Sequence, residues 1–162
     1  MQRVRALAAE RGIVLKELVT ERSEHCEELV QQANLTGVDA IGLMGGDGTM
    51  REAVSGMLKR AADDRCPLFV FPVGTGNNFA RDLGIKTIED MFAVIDRGVT
   101  HSVDAVKVTH PEGVTYSINC VTWGRGGFRR PWGKGECSAM VRVHRVYRPF
   151  CLSRSRMHNN CC

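Results

Sequence analysis

The residues best suited to chemistry in this sequence form a glycine-rich run, GGDGT at 45–49, directly after the apolar segment IGLM. Residues 50–60 carry apolar side chains at helical spacing, so the order is strand, loop, helix. Glycines let a backbone approach a ligand closely, and the free N–H groups at the start of a helix favour a phosphate. Thr49 adds a hydroxyl donor. The run therefore indicates phosphate binding.

Asp47 is the residue of this run that simple anion capture does not explain, because a carboxylate repels a phosphate. A carboxylate at this point can orient the loop, hold Mg²⁺ through water, or accept a proton from an attacking hydroxyl. All three roles stay open from the residues alone. Together they favour phosphoryl chemistry over anion capture.

A second loop of the same kind follows the next apolar segment. Residues 68–71 lead into PVGTGNN at 72–78, and a short helix containing FAR follows. Either loop alone could be only a tight turn. Two such loops after neighbouring strands of an open α/β sheet both open at the carboxyl ends of the strands, where ligands bind. We predict that the two loops lie side by side around one pocket.

Other reactive residue types form no motif. His25 and His101 have no predictable partner nearby, and we interpret both as structural. The seven cysteines are an odd number and include no CxxC pair, while His144 and His158 lack the spacing of a zinc finger. We predict free thiols and no metal site among these residues.

Four helical stripes and a set of short strands are predicted to position the two loops. The helical stripes are Val4, Leu7, Ala8; Cys26, Leu29, Val30, Ala33; Ala53, Val54, Met57, Leu58; and Ile88, Met91, Phe92, Ile95. Strands are predicted at 13–19, 41–44 and 68–71, followed by a hairpin of two longer strands at 102–109 and 114–123. The alternation predicts an α/β fold with an open, mostly parallel sheet and flanking helices. Thr87 and Gly98 are predicted to bound the helix at 88–97.

The composition is typical of one globular domain followed by a basic tail. The chain has 162 residues, of which 43% are hydrophobic and 25% charged, and no apolar run reaches the length of a membrane span. Residues 125–162 hold nine Lys and Arg against one acidic residue, without periodicity or a nucleic-acid recognition motif. We expect a cytoplasmic protein with a folded part at 1–124 and a disordered tail at 125–162.

Two segments, GGDGTMREAVSGML and PVGTGNNFARDLGI, together resemble the catalytic domain shared by diacylglycerol kinases, sphingosine kinases and bacterial lipid kinases. A lone GGDGT also resembles NAD kinases and phosphofructokinases, whereas the GTGNNFAR element some 30 residues later is similar to the lipid kinases only. The resemblance covers about residues 2–124.

The resemblance implies the nucleotide-binding lobe of an ATP-dependent lipid kinase that uses Mg²⁺ and transfers the γ-phosphate to a lipid hydroxyl. It implies ATP and a lipid alcohol at a membrane surface as partners, no nucleic acid, and a location in the cytoplasm or at the periphery of a membrane. Asp47 matches the family's loop carboxylate and is the predicted catalytic residue. The predicted ATP-binding residues are Thr20, Gly45, Gly46, Asp47, Gly48, Thr49, Met50, Arg51, Glu52, Gly74, Thr75, Gly76 and Asn77.

The resemblance also has departures. The family opens with a strand ending in an Asn-Pro-x-Ser-Gly loop and continues into a β-rich second lobe that supplies most Mg²⁺ ligands, and this sequence resembles neither. Arg51 stands where the family usually has Asn or His, and Asn78 where it usually has Asp. We therefore expect a truncated form with little or no activity of its own. The alternatives are a nucleotide-binding or partner-binding module without catalysis, and an NAD-kinase-like enzyme, which GTGNNFAR disfavours. The acceptor lipid and the oligomeric state stay open.

Overall fold

The computed structural model describes residues 1–110, 113–118 and 144–146. The helices are α1 (Gln2–Glu10), α2 (His25–Gln32), α3 (Asp47–Lys59), α4 (Asn78–Asp82) and α5 (Ile88–Arg97), with a 3-10 turn over Ala62–Asp64 between α3 and the next strand. The strands are β1 (Ile41–Gly45), β2 (Leu68–Pro72), β3 (Ala105–His110), β4 (Gly113–Ser117) and β5 (His144–Val146). Within these residues no helix is long and apolar enough to cross a membrane.

A parallel pair of strands, β1 and β2, forms the sheet that carries both glycine-rich loops. Ile41 pairs with Leu68 and Gly45 with Pro72, so the two strands end at the same level. Strands β1 and β2 are each followed by a helix, α3 and α4. The predicted α/β fold with a parallel sheet and flanking helices is confirmed.

A second sheet is antiparallel, in the order β4-β3-β5. The hairpin of β3 and β4 was predicted, and His110 pairs with Gly113 across its turn. The end of the second predicted strand, at 119–123, lies outside the described residues. So does most of the tail, but residues 144–146 pair with β3, from Ala105 with Val146 to Lys107 with His144. For these three residues the expected lack of structure is wrong, and the division at residue 124 stays a prediction.

The hydrophobic core lies where α3 packs beneath the parallel strands. Met57 and Phe92 are among its largest fully buried side chains. Phe92 on α5 contacts Phe71 of β2, with ring centroids 5.3 Å apart. The guanidinium of Arg11 lies 5.0 Å from the centre of the Phe92 ring, a cation–π contact that covers the core at the end of α1. The four predicted helical stripes all supply buried core residues.

Helix α5 begins and ends as its sequence predicts. The Thr87 side chain accepts a hydrogen bond from the Asp90 backbone N–H, and the Asp90 carboxylate accepts one from the Thr87 backbone N–H. Gly98 ends the helix in the left-handed conformation, at φ 62°. This reciprocal cap fixes the first turn of α5 beside the second loop's helix.

Residues 13–19 are not a strand, contrary to the prediction. They form an irregular segment after α1, in which Val14 is 95% and Val19 is 76% exposed. A β-branched apolar run becomes a strand only beside a partner that takes its backbone hydrogen bonds and covers its side chains. No described strand lies beside this segment. The sequence pattern indicates a preference for a strand, but the packing around this segment supplies no partner strand.

Helices α2 and α3 are joined through a buried arginine. Arg60, just after α3, is 9% exposed and donates from Nη1 to the carbonyls of Val30 (2.9 Å) and Gln31 (2.6 Å) at the end of α2. Its Nε and Nη2 donate to the backbone and side chain of Asp64. The guanidinium therefore satisfies terminal carbonyls of α2 and holds the turn that leads into β2.

Candidate functional site

The first glycine-rich run is mostly the start of α3 and not a loop. Gly45 ends β1, Gly46 is the N-cap residue, and the helix begins at Asp47, three residues before the predicted start at Met50. The backbone N–H of Met50 donates to the carbonyl of Gly46 (3.0 Å), which closes the first helical turn. The first-turn N–H groups have no partner inside a helix, so this turn presents donors beyond the end of β1.

The second loop, residues 73–77, is held by the side chain of Asn77. Its Oδ1 accepts from the Gly74 N–H (3.0 Å), and its Nδ2 donates to the Gly74 carbonyl (2.6 Å). Asn77 also has a left-handed backbone, at φ 53°, which asparagine tolerates better than most residues. The side chain that the sequence marked as a possible ligand contact thus has a structural task as well.

The two loops touch through their backbones, as predicted. A Cβ atom built on Gly74 would lie 2.6 Å from the Cα of Gly46 and 2.9 Å from its N atom. Real Cβ atoms do not approach other atoms this closely, so the observed separation needs glycine at position 74. The turn after β2 therefore lies directly against the first turn of α3.

Asp47 fastens this contact. Its Oδ2 accepts from the Asn78 N–H and its Oδ1 from the Phe79 N–H, both at 3.0 Å. Asn78 and Phe79 are the first two residues of α4, so a residue of the first run caps the helix that follows the second loop. Of the three roles open from the sequence, orientation of the loops is the one seen in these contacts. The partners are more than 30 positions away, and no local pattern indicated them.

Open space remains beside the first turn of α3. A Cβ built on Gly48 would meet no atom of the described residues within 4 Å. Thr75 and Gly76 of the second loop are exposed, and Thr49 is partly buried with its Oγ1 beside Gly45. The two touching loops thus carry backbone donors and the hydroxyls of Thr49 and Thr75 next to open space at Gly48. This arrangement suits an anion with several oxygens.

Four of the predicted site residues do not place a side chain at the contact between the two loops. Thr20 is exposed, and no hydrogen bond within the described residues joins it to either loop. The side chain of Met50 is buried in the core, which leaves only its backbone near the loop. Arg51 and Glu52 lie in α3 with Nη2 and Oε1 3.9 Å apart, and the Glu52 side chain is 15% exposed. Glu52 is therefore beside the turn, mostly covered.

Cys26 is a neighbour of the site that sequence reasoning missed. It lies in α2, and its Sγ donates to the carbonyl of Thr49 at 3.8 Å. Burial, followed by the negative charges of Glu52 and Glu27, raises the pKa of the Cys26 thiol to about 11. The thiol thus stays protonated at neutral pH and supports the first turn of α3 from below. A thiol of this kind is a packing and hydrogen-bonding group, not a nucleophile.

The sequence matches the family model described as "Diacylglycerol kinase catalytic domain" over residues 1–108. The chain belongs to the diacylglycerol kinase catalytic domain family. It is 30% identical over 118 residues to sphingosine kinase B of Dictyostelium discoideum, a match that covers 71% of this chain and 16% of that protein. It is 33% identical over 120 residues to a probable YegS-like lipid kinase of Stenotrophomonas maltophilia, covering 72% of this chain and 38% of that protein.

A solved structure of a diacylglycerol kinase from Bacillus anthracis matches with a TM-score of 0.49 and 27% identity, over 60% of this chain and 34% of that one. The diacylglycerol kinase catalytic domain seen here thus spans well under half the length of these two curated relatives. The family match also removes the NAD-kinase-like alternative.

In the described residues of this diacylglycerol kinase catalytic domain, the groups at the junction of the loops are mainly hydrogen-bond donors, which suit an anion. The glycine contact and the first turn of α3 leave accessible space beside backbone donors. By contrast, no group of three His, Cys, Asp or Glu residues within the described ranges could hold a metal ion.

Proposed function

We propose that the two touching loops bind the phosphates of ATP, and that the domain serves an enzyme that transfers the γ-phosphate to a lipid hydroxyl. The observation that carries the proposal is the contact of Gly74 with Gly46, fastened by the two hydrogen bonds of Asp47. This contact fixes two sets of donors relative to each other before any ligand arrives. Rigid placement of charge-stabilising groups is the main requirement of phosphoryl transfer.

Each part of the site has a distinct task in this proposal. The N–H groups of the first turn of α3 receive phosphate oxygens, and Thr49 and Thr75 donate from their hydroxyls. Gly48 keeps the space above that turn free of side-chain atoms. Asn77 holds the second loop in its shape through both bonds to Gly74.

Asp47 has a second role in this proposal. Hydrogen bonds from the backbone N–H groups of Asn78 and Phe79 hold its carboxylate at the junction of the two loops. A carboxylate at this point can accept the proton of an attacking lipid hydroxyl, one of the three roles open from the sequence. In that case Asp47 both joins the loops and acts on the acceptor.

The acceptor is an alcohol of the lipid class, in line with the names of the relatives, which are sphingosine kinases and probable lipid kinases. We expect this chain to bind ATP weakly without transferring phosphate to lipid. The backbone and hydroxyl donors for binding are present, whereas in-line transfer also needs metal, acceptor and base held in place. A nucleotide-binding module without catalysis is the second candidate, because both carboxylate oxygens of Asp47 accept backbone N–H bonds that join the loops, which is a structural role.

The test combines titration of ATP with transfer of radiolabelled phosphate to diacylglycerol and to sphingosine. Thr75→Ala should weaken ATP binding several-fold, since it removes a hydroxyl donor on the exposed loop. Thr36→Ala, which changes an exposed threonine outside both loops, is the matched control and should bind as the unchanged chain does. Equal ATP affinity in both variants would contradict the proposal that the second loop binds the phosphates of ATP. Lipid phosphorylation that Asp47→Ala abolishes would show that the chain catalyses by itself.

A further inference from the structure

A large apolar cavity lies beside β2 and extends from the start of α4 to the end of α5. Its volume is about 650 Å³, within the range of roughly 300–1,000 Å³ that is usual for ligand pockets. Residues of α3, β2, α5 and β3 form its walls, and no residue of β1 is among its described lining. The cavity therefore lies at the edge of β2 that is not paired with β1.

The interior of this cavity is hydrocarbon-like. Val54 and Leu58 of α3 form one wall, Phe69 and Val70 of β2 another, and Val94 of α5 a third. The apolar wall continues to the surface, where Leu83 and Val99 are 45% and 47% exposed. Water in contact with such walls is displaced favourably by an apolar ligand.

The charged groups in the described lining are all of one sign. They are the guanidinium groups of Arg65 and Arg97, no Asp or Glu is among the described lining residues, and the imidazole of His101 adds a polar ring. Arg65 is held in place by bonds from Nε and Nη2 to the carbonyls of Leu58 and Arg60. Arg97 donates from Nε to the Ala93 carbonyl within its own helix. These bonds orient both side chains and do not involve Nη1 of either one.

We propose that this cavity binds an amphiphile with one acyl chain and an anionic head group, such as a fatty acid or a lysophospholipid. The acyl chain occupies the apolar interior, and the carboxylate or phosphate contacts Arg97, Arg65 and His101. An apolar pocket alone would take any hydrocarbon, but two arginines in a described lining that includes no Asp or Glu favour a negative head group. Met50 and Phe79, which border the two loops, are also in the lining, so the cavity adjoins the proposed ATP site, but the proposal does not rest on ATP binding.

The experiment uses the 162-residue chain and cis-parinaric acid, a fluorescent fatty acid, kept below its micelle concentration. Palmitate and lysophosphatidic acid should each displace the probe, and their relative strength tells which head group is preferred. Uncharged monopalmitoylglycerol should displace it at least tenfold less well, and glycerol 3-phosphate, which has no acyl chain, should not displace it. Arg97→Ala should weaken palmitate about tenfold, the effect of losing one charge-assisted contact of roughly 1.4 kcal/mol.

Two further variants separate the cavity from general effects on folding. Val99→Trp places a large ring at the mouth and should abolish probe binding, with thermal unfolding measured to confirm that the variant is folded. Arg22→Ala removes an exposed arginine that is not part of the lining and should bind as the unchanged chain does. ATP affinity should be the same in all these variants. Absence of probe binding, equal displacement by the uncharged lipid, or unchanged binding in folded Val99→Trp would overturn the proposal.

Discussion

Substitution of Gly74 by alanine tests whether the contact between the two loops is the basis of the site. The new methyl carbon would lie 2.6 Å from the Gly46 Cα and 2.8 Å from Asn77 Oδ1. Carbon atoms in ordinary contact are about 3.5–4.0 Å apart, so the loops must separate by roughly 1 Å. The backbone of Gly74 itself has no positive φ, and the contact alone opposes the change. We expect a loss of about 1–3 kcal/mol in the free energy of unfolding, the usual cost of overpacking.

Nucleotide binding should respond more strongly than stability. A separation of about 1 Å changes the positions of the donors in the second loop relative to α3, so we expect at least a tenfold loss of ATP affinity, or about 1.4 kcal/mol. Urea denaturation measures the first quantity and ATP titration of the folded variant the second.

Two alanine variants serve as controls for this prediction. Gly48→Ala adds a methyl group that meets no described atom within 4 Å, so its stability should be unchanged or higher by up to about 1 kcal/mol. Gly56→Ala should lose stability far from the loops and keep its ATP affinity while folded. The reasoning fails if Gly74→Ala keeps both its stability and its affinity, or if Gly56→Ala loses affinity to the same extent.

Three further predictions concern the support of α3. In Gly56→Ala the new Cβ would lie 2.3 Å from the Glu27 carbonyl oxygen. The cost of this overpacking, about 1–3 kcal/mol, should exceed the gain in helix propensity of up to about 1 kcal/mol, so the variant should be less stable. A midpoint in urea equal to that of the unchanged chain would contradict this. Ser55 is fully buried, and its hydroxyl has no hydrogen-bond partner within the described residues. Ser55→Ala should therefore raise the free energy of unfolding by about 1 kcal/mol. A lower free energy of unfolding in the same urea experiment would contradict this. The pKa of Cys26 is about 11 in the folded chain, against 9.0 for a free thiol. As the pH rises, the unfolded chain therefore loses this proton at a lower pH than the folded chain does. The free energy of unfolding should fall from about pH 9 upward. Cys26→Ala should flatten that fall, and mass spectrometry should show Cys26 alkylated by iodoacetamide at pH 8 only after denaturation.

Local sequence patterns were sufficient for the elements whose environment is supplied by near neighbours. The apolar runs of β1 and β2 are covered by α3 and α5, and both strands form where predicted. Helix α5 carries its own start and stop signals in Thr87, Asp90 and Gly98. The segment at 13–19 has an equally strong pattern and is not a strand, because strand formation depends on a neighbouring strand that the pattern does not specify.

The candidate site shows the same division. Its glycines and the order of strand, loop and helix could be predicted, because each loop's type depends on a few consecutive residues. The hydrogen bonds that Asp47 accepts from Asn78 and Phe79, and the one that Cys26 donates to Thr49, join residues more than 20 positions apart. Such contacts depend on how the elements pack, and they cannot be predicted from residue type and spacing. The helix start at Asp47 was missed because two glycines suggested a longer loop.

The guanidinium of Arg60 affects how helices α2 and α3 unfold locally. It is nearly buried, and its partners include the terminal carbonyls of α2 as well as Asp64 before β2. Separation of α2 from α3 would leave this charge and those carbonyls without partners until water reached them, which is costly. Local fraying of α2 alone is therefore disfavoured. The two helices should form one cooperative unit, in which their amide hydrogens exchange with solvent deuterium together and with a common free energy of opening.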